Sequence, residues 1–284
     1  MIIKNLIKIP VFKRLIPSVF KKYIFFSKNY FKEKKIDGIK YLLDTRHLID
    51  RNFYLRENYE DDLFFLAKDI IIRNKVNYFL DIGSCWGIYS LRLSKTNKLK
   101  IISFDPINRN ISRLKQMIKI NNLRNITTYQ KALGDKTGKV KFYGLEEFTP
   151  NYTLYGKGYK HNGKEHQYTT ICKIDRLDNI IKFKNKILYL KVDVEKHEYF
   201  FLMGAKNIIK NNKIIIQIEI IKSNKKKVFN FFKKEKFNFL YKDKKGADYI
   251  FSNFIKKKPQ NFHSEGSNPN KSTSILLLWS CLVA

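Results

Sequence analysis

Cysteine, acidic residues and long apolar runs are all scarce in this chain of 284 residues. Its three cysteines, Cys85, Cys172 and Cys281, lie far apart without a C-x-x-C pair. This spacing argues against a disulfide framework or a zinc site and suits a reducing, cytoplasmic compartment. No apolar run approaches the roughly 20 residues that cross a bilayer. Only 25 acids stand against 57 lysines and arginines, which gives a net charge of +32.

The basic excess consists mainly of lysine, since only ten of the 57 basic residues are arginines. The chain is also rich in isoleucine and asparagine. These three residue types belong to A/T-rich codons, so genome composition can account for much of the charge. Specific recognition of phosphates or bases would favour the bidentate fork of arginine. The charge is therefore a weak argument for a nucleic-acid partner.

The composition divides the chain into three parts. Residues 1–58 form a basic, apolar N-terminal segment and lead-in, 59–257 the main domain, and 258–284 an irregular tail that we do not expect in the fold. Residues 1–32 hold eight basic residues and no acid. Two interpretations of this stretch stay open: an amphipathic anchor at the inner face of a membrane, or a helix packed over the domain with its lysines in water. Pro10 and Pro17 are predicted to interrupt any long helix.

From residue 59 onward, apolar strands alternate with helical patterns over short connections. This alternation predicts an α/β fold with a doubly wound, mostly parallel sheet. Residues 237–241 and 248–252 predict a C-terminal antiparallel hairpin at one end of the sheet. Residues 139–143 and 167–171 predict two strands around a long insert. Residues 198–210 predict one helix.

The strongest chemical signal is an apolar strand that ends in Asp81-Ile82-Gly83, with Gly87 opening a helix. Glycines at such a turn let a ligand approach backbone N–H groups closely. The pattern is neither G-x-G-x-x-G nor a P-loop. An acid just before the turn would repel a phosphate and would suit an ammonium group.

A second acid, Asp105, follows the next strand in Phe104-Asp105-Pro106. An acid at this place can accept hydrogen bonds from both hydroxyls of a ribose. The two strand ends together therefore offer sites for an amino acid and a nucleoside. S-adenosylmethionine has both parts and carries no phosphate, and we expect it as the cofactor.

Further motifs follow in order along roughly residues 59–254. They are Asn121-Asn122-Leu123, Ala132-Leu133-Gly134-Asp135, Thr169-Thr170 with Ile174-Asp175-Arg176-Leu177, Leu190-Lys191-Val192-Asp193-Val194-Glu195-Lys196-His197-Glu198, Met203-Gly204-Ala205 and Ile218-Glu219-Ile220. The series resembles the FkbM family of S-adenosylmethionine-dependent methyltransferases. This resemblance implies a class I, Rossmann-like methyltransferase fold over residues 59–257. It also implies O-methylation of a sugar or glycan hydroxyl, on a lipid-linked glycan if residues 1–32 bind a membrane.

Seven residues are expected to bind the cofactor. Gly83, Gly87 and Ser84 would line its methionine end, and Asp81 would face its ammonium directly or through water. Asp105 would hold the ribose hydroxyls. Flanking the adenine edge would be Ala132 and Leu133.

An alcohol is a weak nucleophile, so we expect a base near the acceptor. The candidates at the sheet's carboxyl edge are Asp193, Glu195, His197 and Glu219. His197 could equally be a helix-start histidine bonded to backbone. Glu195, like Glu198, could be an acid favoured by the helix dipole. A metal site formed by Asp193, Glu195, His197 and Glu198 is also an open interpretation. We expect no metal, because these acids can cap the helix and contact the cofactor instead.

Among the departures from the pattern of the family, two bear on activity. Lys196 stands where the family commonly has glycine after Asp-Val-Glu, and Trp86 is a bulky residue in the first loop that could narrow the cofactor mouth. With the odd tail, they motivate a catalytically decayed methyltransferase-fold binding protein as one alternative. Net charge motivates a nucleic-acid methyltransferase as another, although no Asn-Pro-Pro-Tyr-type motif follows the fourth strand.

Overall fold

A computed structural model describes residues 10–144, 152–154, 160–161, 164–165, 168–244 and 246–256. The tail 258–284, about which the sequence makes a prediction, lies outside these residues. The helices are α1 (Pro10–Ser27), α2 (Leu48–Arg56), α3 (Asp61–Arg73), α4 (Ile88–Leu93), α5 (Asn108–Ile120), α6 (Leu177–Ile180), α7 (Glu198–Gly204), α8 (Lys206–Asn211) and α9 (Lys225–Lys234). The strands are β1 (Phe31–Ile36), β2 (Ile39–Asp44), β3 (Tyr78–Ile82), β4 (Lys100–Phe104), β5 (Ile126–Tyr129), β6 (Ala132–Leu133), β7 (Gly138–Gly144), β8 (Tyr152–Thr153), β9 (Lys160–His161), β10 (Lys164–Glu165), β11 (Tyr168–Asp175), β12 (Ile187–Val192), β13 (Lys213–Glu219), β14 (Asn238–Lys242) and β15 (Asp248–Ser252).

The central sheet has the strand order β14-β15-β13-β12-β3-β4-β5. Strands β13, β12, β3, β4 and β5 pair in parallel, and β15 runs antiparallel to both β13 and β14. The mostly parallel sheet and the C-terminal hairpin are therefore confirmed. The carboxyl ends of β3, β4 and β12 meet at one edge, as the chemistry of their motifs requires.

Both faces of the central sheet are covered, which explains why its strands are almost continuously apolar. On β12, Tyr189 and Leu190 point to opposite faces because side chains alternate along a strand. Tyr189 joins a core with α3 and α4, while Leu190 joins a core with α7, α8 and α9. The second sheet, in the order β6-β11-β7-β8, lies beside it and contains the two strands predicted around the insert.

The helix predicted over 198–210 is divided into α7 and α8 at Ala205. A Cβ on Gly204 would lie 1.8 Å from the carbonyl oxygen of Gly134, so this turn of the helix packs directly on another backbone segment. Asp178 then accepts hydrogen bonds from the N–H groups of Asn207 (3.0 Å) and Ile208 (2.9 Å). These bonds satisfy the free N–H groups of a new helix start. The single-helix prediction is wrong because the cap comes from a residue distant in sequence.

The prediction that prolines interrupt any long helix in the N-terminal segment is also wrong. Helix α1 spans 18 residues, with Pro10 at its first position and Pro17 inside it. A proline at the first position costs nothing, because that N–H has no partner within the helix. Pro17 removes one hydrogen-bond donor, and the turns on either side continue the helix. None of the helices in the described ranges combines the length and apolarity of a membrane span.

A hairpin, β1–β2, packs with α2 on the main domain and was not predicted from the sequence. Tyr41 of β2, Phe53 of α2 and Trp86 form one buried cluster with Leu114 of α5. This cluster joins the lead-in to the loop after β3. The domain boundaries at residues 58 and 257 stay predictions.

Candidate functional site

A cavity opens at the carboxyl edge of β3, β4 and β12. Its empty volume, including solvent at the mouth, is about 1020 Å³, which suits a small-molecule ligand. Most of the residues predicted from the motifs lie along its wall, namely Asp81, Gly83, Ser84, Asp105, Ala132, Leu133, Asp193, Glu195 and His197. Gly87 and Glu219 are not among the described residues that line it. The sequence therefore predicted residues that are brought together in one place, while their individual roles stay predictions.

The turn after β3 requires glycine for two reasons. Gly83 has φ of +78°, and a Cβ there would lie 1.8 Å from the backbone oxygen of Asp193. Its N–H and that of Ser84 both donate to the carbonyl oxygen of Phe104 at 2.9 Å. The turn is thereby fixed against the ends of both neighbouring strands. Gly87, with φ of +82°, instead packs against the Leu114 side chain.

Asp105 is a buried carboxylate that organises the loops around it. Its Oδ2 accepts the N–H of Cys85 at 2.9 Å, and its Oδ1 accepts the N–H of Ile107 at 2.9 Å and the Asn110 amide at 3.0 Å. Burial raises the pKa of Asp105 to about 7, and these three bonds oppose that rise. A carboxylate oxygen can accept two bonds, so Oδ2 retains capacity for a ligand hydroxyl. Asp105 fits the predicted ribose role and also holds the turn at Cys85.

Asp81 is buried at the end of β3 and accepts a hydrogen bond from the Ser90 hydroxyl at 2.6 Å. Ser90 in turn bonds to Ser103 of β4 at 2.8 Å. Burial raises the pKa of Asp81, and the nearby Lys191 ammonium lowers it. The carboxyl is thus held in place on the cavity wall, where an ammonium group would find an acceptor.

Lys191 is the central site residue that sequence reasoning missed. It lies buried on β12, in register with Asp81 of β3. Its Nζ donates to Asp193 Oδ2 at 3.2 Å and lies 4.9 Å from the centre of the Tyr89 ring. Burial lowers the pKa of Lys191, but Asp193 and Glu60 outweigh it and raise the pKa well above its usual value. A lone lysine in an otherwise apolar strand is a signal that could have found it, since a buried charge needs a partner.

Tyr59 and Glu60, just before α3, also approach the site without having been predicted. Tyr59 lines the cavity, and burial raises its pKa well above the usual value. Glu60 accepts a hydrogen bond from the Tyr89 hydroxyl at 3.1 Å. Burial raises the pKa of Glu60, and Lys191 lowers it. Both residues precede α3, so the start of this helix approaches Lys191.

The turn after β12 brings several acids together at the mouth of the cavity. The Asp193 side chain is 34% exposed and paired with Lys191. Glu195 is exposed when the whole residue is considered, but the protein atoms around its carboxyl group reduce the hydration of that group. This desolvation, followed by the charges of Asp193 and Glu198, raises the pKa of Glu195 to about 7. Glu219 is the last residue of β13 and is not among the described residues that line the cavity. Burial first, then the charges of Asp193 and Glu195, raises its pKa as well.

Glu198 is buried and bonded within the turn. It accepts the N–H of Lys196 at 2.9 Å and the Asn224 amide at 3.1 Å. The helix-start interpretation of Glu198 therefore fits the structure. Lys196 itself has φ of +77°, a left-handed conformation that favours glycine,. The turn keeps the geometry that a glycine would allow, although lysine occupies it.

His197 lines the cavity beside this turn, and its ring stacks on Phe200 with centroids 4.7 Å apart. Burial lowers its pKa to about 4, so the imidazole is neutral at neutral pH. Among the described residues, nothing bonds to its buried Nε2. Unpaired buried nitrogens are uncommon and costly, and this one lies close to Gly134, where a Cβ would be 2.9 Å from it. In the same part of the chain, no group of three or more His, Cys, Asp or Glu side chains is arranged to hold a metal ion.

Trp86 follows the glycine turn and forms part of the cavity wall. Its indole is fully buried, donates from Nε1 to Asp50 at 2.9 Å and packs edge-on against Tyr41. The Arg113 guanidinium lies 4.5 Å from the ring centre. Because Trp86 still lines the cavity, the effect of its bulk on the cofactor mouth stays a prediction.

The parallel sheet, the glycine turn after β3 and the acid after β4 define a class I S-adenosylmethionine-dependent methyltransferase. A family model described as the methyltransferase FkbM domain matches residues 81–249. This chain belongs to the FkbM methyltransferase family. The resemblance stated from the motifs is confirmed, and with it S-adenosylmethionine as the cofactor. Gly83, which leaves room at the turn, and the wall acids Asp81 and Asp105 fit that cofactor.

Solved structures with a similar fold share little sequence with this chain. The FkbM methyltransferase from Methylobacillus flagellatus KT is 15% identical, with a TM-score of 0.45 over 71% of this chain and 52% of that one. M. jannaschii TYW2, solved with AdoMet, is 10% identical, with a TM-score of 0.43 over 78% and 84%. The ribosomal protein L11 methylase from Lactobacillus delbrueckii subsp. bulgaricus is 10% identical, with a TM-score of 0.41 over 67% and 75%. The chain thus spans about half of the M. flagellatus protein. No curated protein matches it by sequence.

Proposed function

We propose that this chain is an active O-methyltransferase whose acceptor is a sugar or glycan hydroxyl, at work in the cytoplasm. One observation carries the proposal: the cavity places the predicted cofactor acids Asp81 and Asp105 on the same wall as Asp193, Glu195 and His197. A donor and an acceptor bound there would meet at the edge of β12. S-adenosylmethionine supplies a methyl group made reactive by its sulfonium.

The residues of this chain have to hold the acceptor oxygen in line and remove its proton. Asp193, held by Lys191, and the neutral His197 can accept hydrogen bonds from sugar hydroxyls. Glu195 at the mouth is our choice for the base, because its pKa lies close to neutral pH,. As the oxygen–methyl bond forms and the sulfur–methyl bond breaks, the hydroxyl proton passes to Glu195. The products are a methyl ether and S-adenosylhomocysteine.

The acidic edge argues against a nucleic-acid acceptor. Asp193 and Glu195 lie together at this edge, and the charge of Asp193 contributes to the raised pKa of Glu195. A phosphate backbone entering there would meet like charges, which are costly at short range. Sugar hydroxyls donate to carboxylates and meet no such barrier.

Transfer of a labelled methyl group tests this proposal. The full chain is incubated with labelled S-adenosylmethionine and either a glycan panel, lipid-linked oligosaccharides included, or RNA. We expect label in glycan methyl ethers, with a rate that rises with pH through about 7 as Glu195 loses its proton. Glu195→Gln should lower the rate by roughly 10²-fold or more and abolish that rise, while cofactor affinity is kept. Glu33→Gln, at an exposed acid on β1, is the matched control. Label in RNA alone, or none from a folded sample that binds the cofactor, would contradict the proposal.

A further inference from the structure

Helix α1 presents a row of exposed apolar side chains. Leu15 is 52% exposed, Val19 57% and Tyr23 57%. Their spacing of four residues places them on one face of the helix. Phe26, which is 80% exposed, follows three residues later on the same face. We call Leu15, Val19 and Tyr23 the apolar stripe. A contiguous exposed apolar patch of this kind is typical of an interaction surface.

The stripe is exposed although the helix is packed on the domain. Phe20, beside the stripe, stacks on Tyr54 of α2 with ring centroids 5.5 Å apart and planes within 10° of parallel. Ile16 and Phe20 are half-buried. The helix therefore uses one side to contact α2 and leaves the stripe facing outward. This arrangement combines the two interpretations that the sequence left open.

The charge around the stripe indicates its partner. Residues 1–32 carry eight basic residues and no acid, and Lys22 and Lys28 are exposed. An amphipathic helix with lysines beside an apolar face binds in the interface of an anionic bilayer. Nucleic acid would match the charge but would leave the apolar stripe in water. A second copy of the chain would bring two acid-free basic segments together, which like charges oppose.

We propose that α1 docks this protein on an anionic lipid surface, with the apolar stripe at the boundary between headgroups and acyl chains. The contact also has a geometric consequence for the site. Helix α2 contacts α1 through Tyr54 and lines the cavity through Ile49, while Leu48 beside it is 63% exposed. A docked α1 would thus bring the α2 wall of the cavity towards the membrane. This last step rests on the proposed function, since it would suit a lipid-linked acceptor.

Vesicle co-sedimentation of the full chain tests the docking without cofactor or acceptor. We expect the wild type to bind vesicles that contain phosphatidylglycerol and to bind pure phosphatidylcholine much more weakly. Leu15→Ser with Val19→Ser should weaken binding by about tenfold or more, because two apolar side chains no longer enter the bilayer. Ile171→Ser with Phe239→Ser removes two exposed apolar residues of the main domain, 71% and 41% exposed. This matched variant should bind as the wild type does.

Equal binding by the wild type and the Leu15/Val19 variant would overturn the proposal. A stripe that pairs two copies would overturn it too, and sedimentation velocity without lipid would then show a dimer that this variant loses. A second readout uses Tyr23→Trp, whose emission should shift to the blue on phosphatidylglycerol vesicles and stay unshifted if the stripe remains in water. Because no methyl transfer is measured, failure of the docking and failure of the proposed function are separate results.

Discussion

Asp105 lies where the two loops on the cofactor side of the cavity meet. It holds the N–H groups of Cys85 and Ile107, and one of its oxygens retains capacity for a ribose hydroxyl. We expect Asp105→Ala to weaken S-adenosylmethionine binding by about 1.5 kcal/mol or more, roughly tenfold, since hydrogen bonds to a charged group are worth about 1.5–3 kcal/mol. Isothermal calorimetry measures this loss. Asp69→Ala, at a carboxylate that pairs with Arg73 on the outside of α3, is the control, and unchanged affinity in Asp105→Ala would refute the role.

Lys191 compensates the charge of the buried acids around it. The loss of stability on removing Lys191 should therefore depend on pH. Asp81 and Glu60 have raised pKa values that Lys191 lowers. Without Lys191, ionising these carboxyls in the folded state costs more, so stability is lost as pH rises above their unfolded pKa values near 4. Lys191→Met should lower the free energy of unfolding by about 3–5 kcal/mol near neutral pH. The loss should be much smaller when the acids are protonated.

Thermal unfolding at about pH 4 and about pH 8 measures the Lys191→Met difference, because the loss begins near the unfolded pKa values of about 4 and grows as pH rises. Lys213→Met, at an exposed lysine on the neighbouring β13, should change the unfolding temperature by the same small amount at both pH values. An equal loss in Lys191→Met at both pH values would show that the lysine does not neutralise the buried acids.

Motif residues were predictable because their signal is local. Asp81 lies near the end of an apolar strand, and Gly83 and Asp105 each follow one directly. The edge of a parallel sheet brings such positions together. Lys191 and Glu60 were missed because their partners are far apart in sequence. The surroundings of Trp86 were missed for the same reason, since its partner Asp50 belongs to a helix that the sequence did not reveal.

At the scale of elements, the turn between β12 and α7 combines a left-handed lysine with a buried network. Lys196 has φ of +77°, and its neighbour Glu195 has φ of +50°. A left-handed residue with a Cβ costs about 1–2 kcal/mol, and glycine avoids most of this. Lys196→Gly should therefore raise stability by up to about 1 kcal/mol, after the greater chain entropy of glycine is subtracted.

Chemical denaturation measures the effect of Lys196→Gly. Lys196→Ala keeps the strain and removes the long side chain, so it should not be stabilised. If the alanine variant gains as much as the glycine variant, the side chain rather than the backbone is the source of the cost, and the strain account of this turn is wrong.

Strands were the most predictable elements, because a sheet covered on both faces leaves long apolar runs such as Ile187–Val192 in the sequence. Helix ends were less predictable. The break at Ala205 depends on the close approach of Gly204 to Gly134 and on a cap from Asp178. Gly134 and Asp178 are both distant from Ala205 in sequence. The continuous helix through Pro17 and the β1–β2 hairpin were likewise outside what local patterns indicate.

For the whole molecule, the net charge is +32, yet four acids line the candidate site. Asp81, Asp105, Asp193 and Glu195 line one cavity in a chain with more than twice as many basic as acidic residues. An average over the chain therefore says little about the ligand, which meets the local field. The basic excess has a proposed use only along α1, where it accompanies the apolar stripe.

The central claim is that this cavity binds S-adenosylmethionine. Isothermal calorimetry of the full chain with S-adenosylmethionine, and with S-adenosylhomocysteine as the product, tests it most directly. We predict saturable binding of both at one site per chain, weakened in Asp105→Ala. A sample that unfolds cooperatively yet binds neither compound would contradict the account.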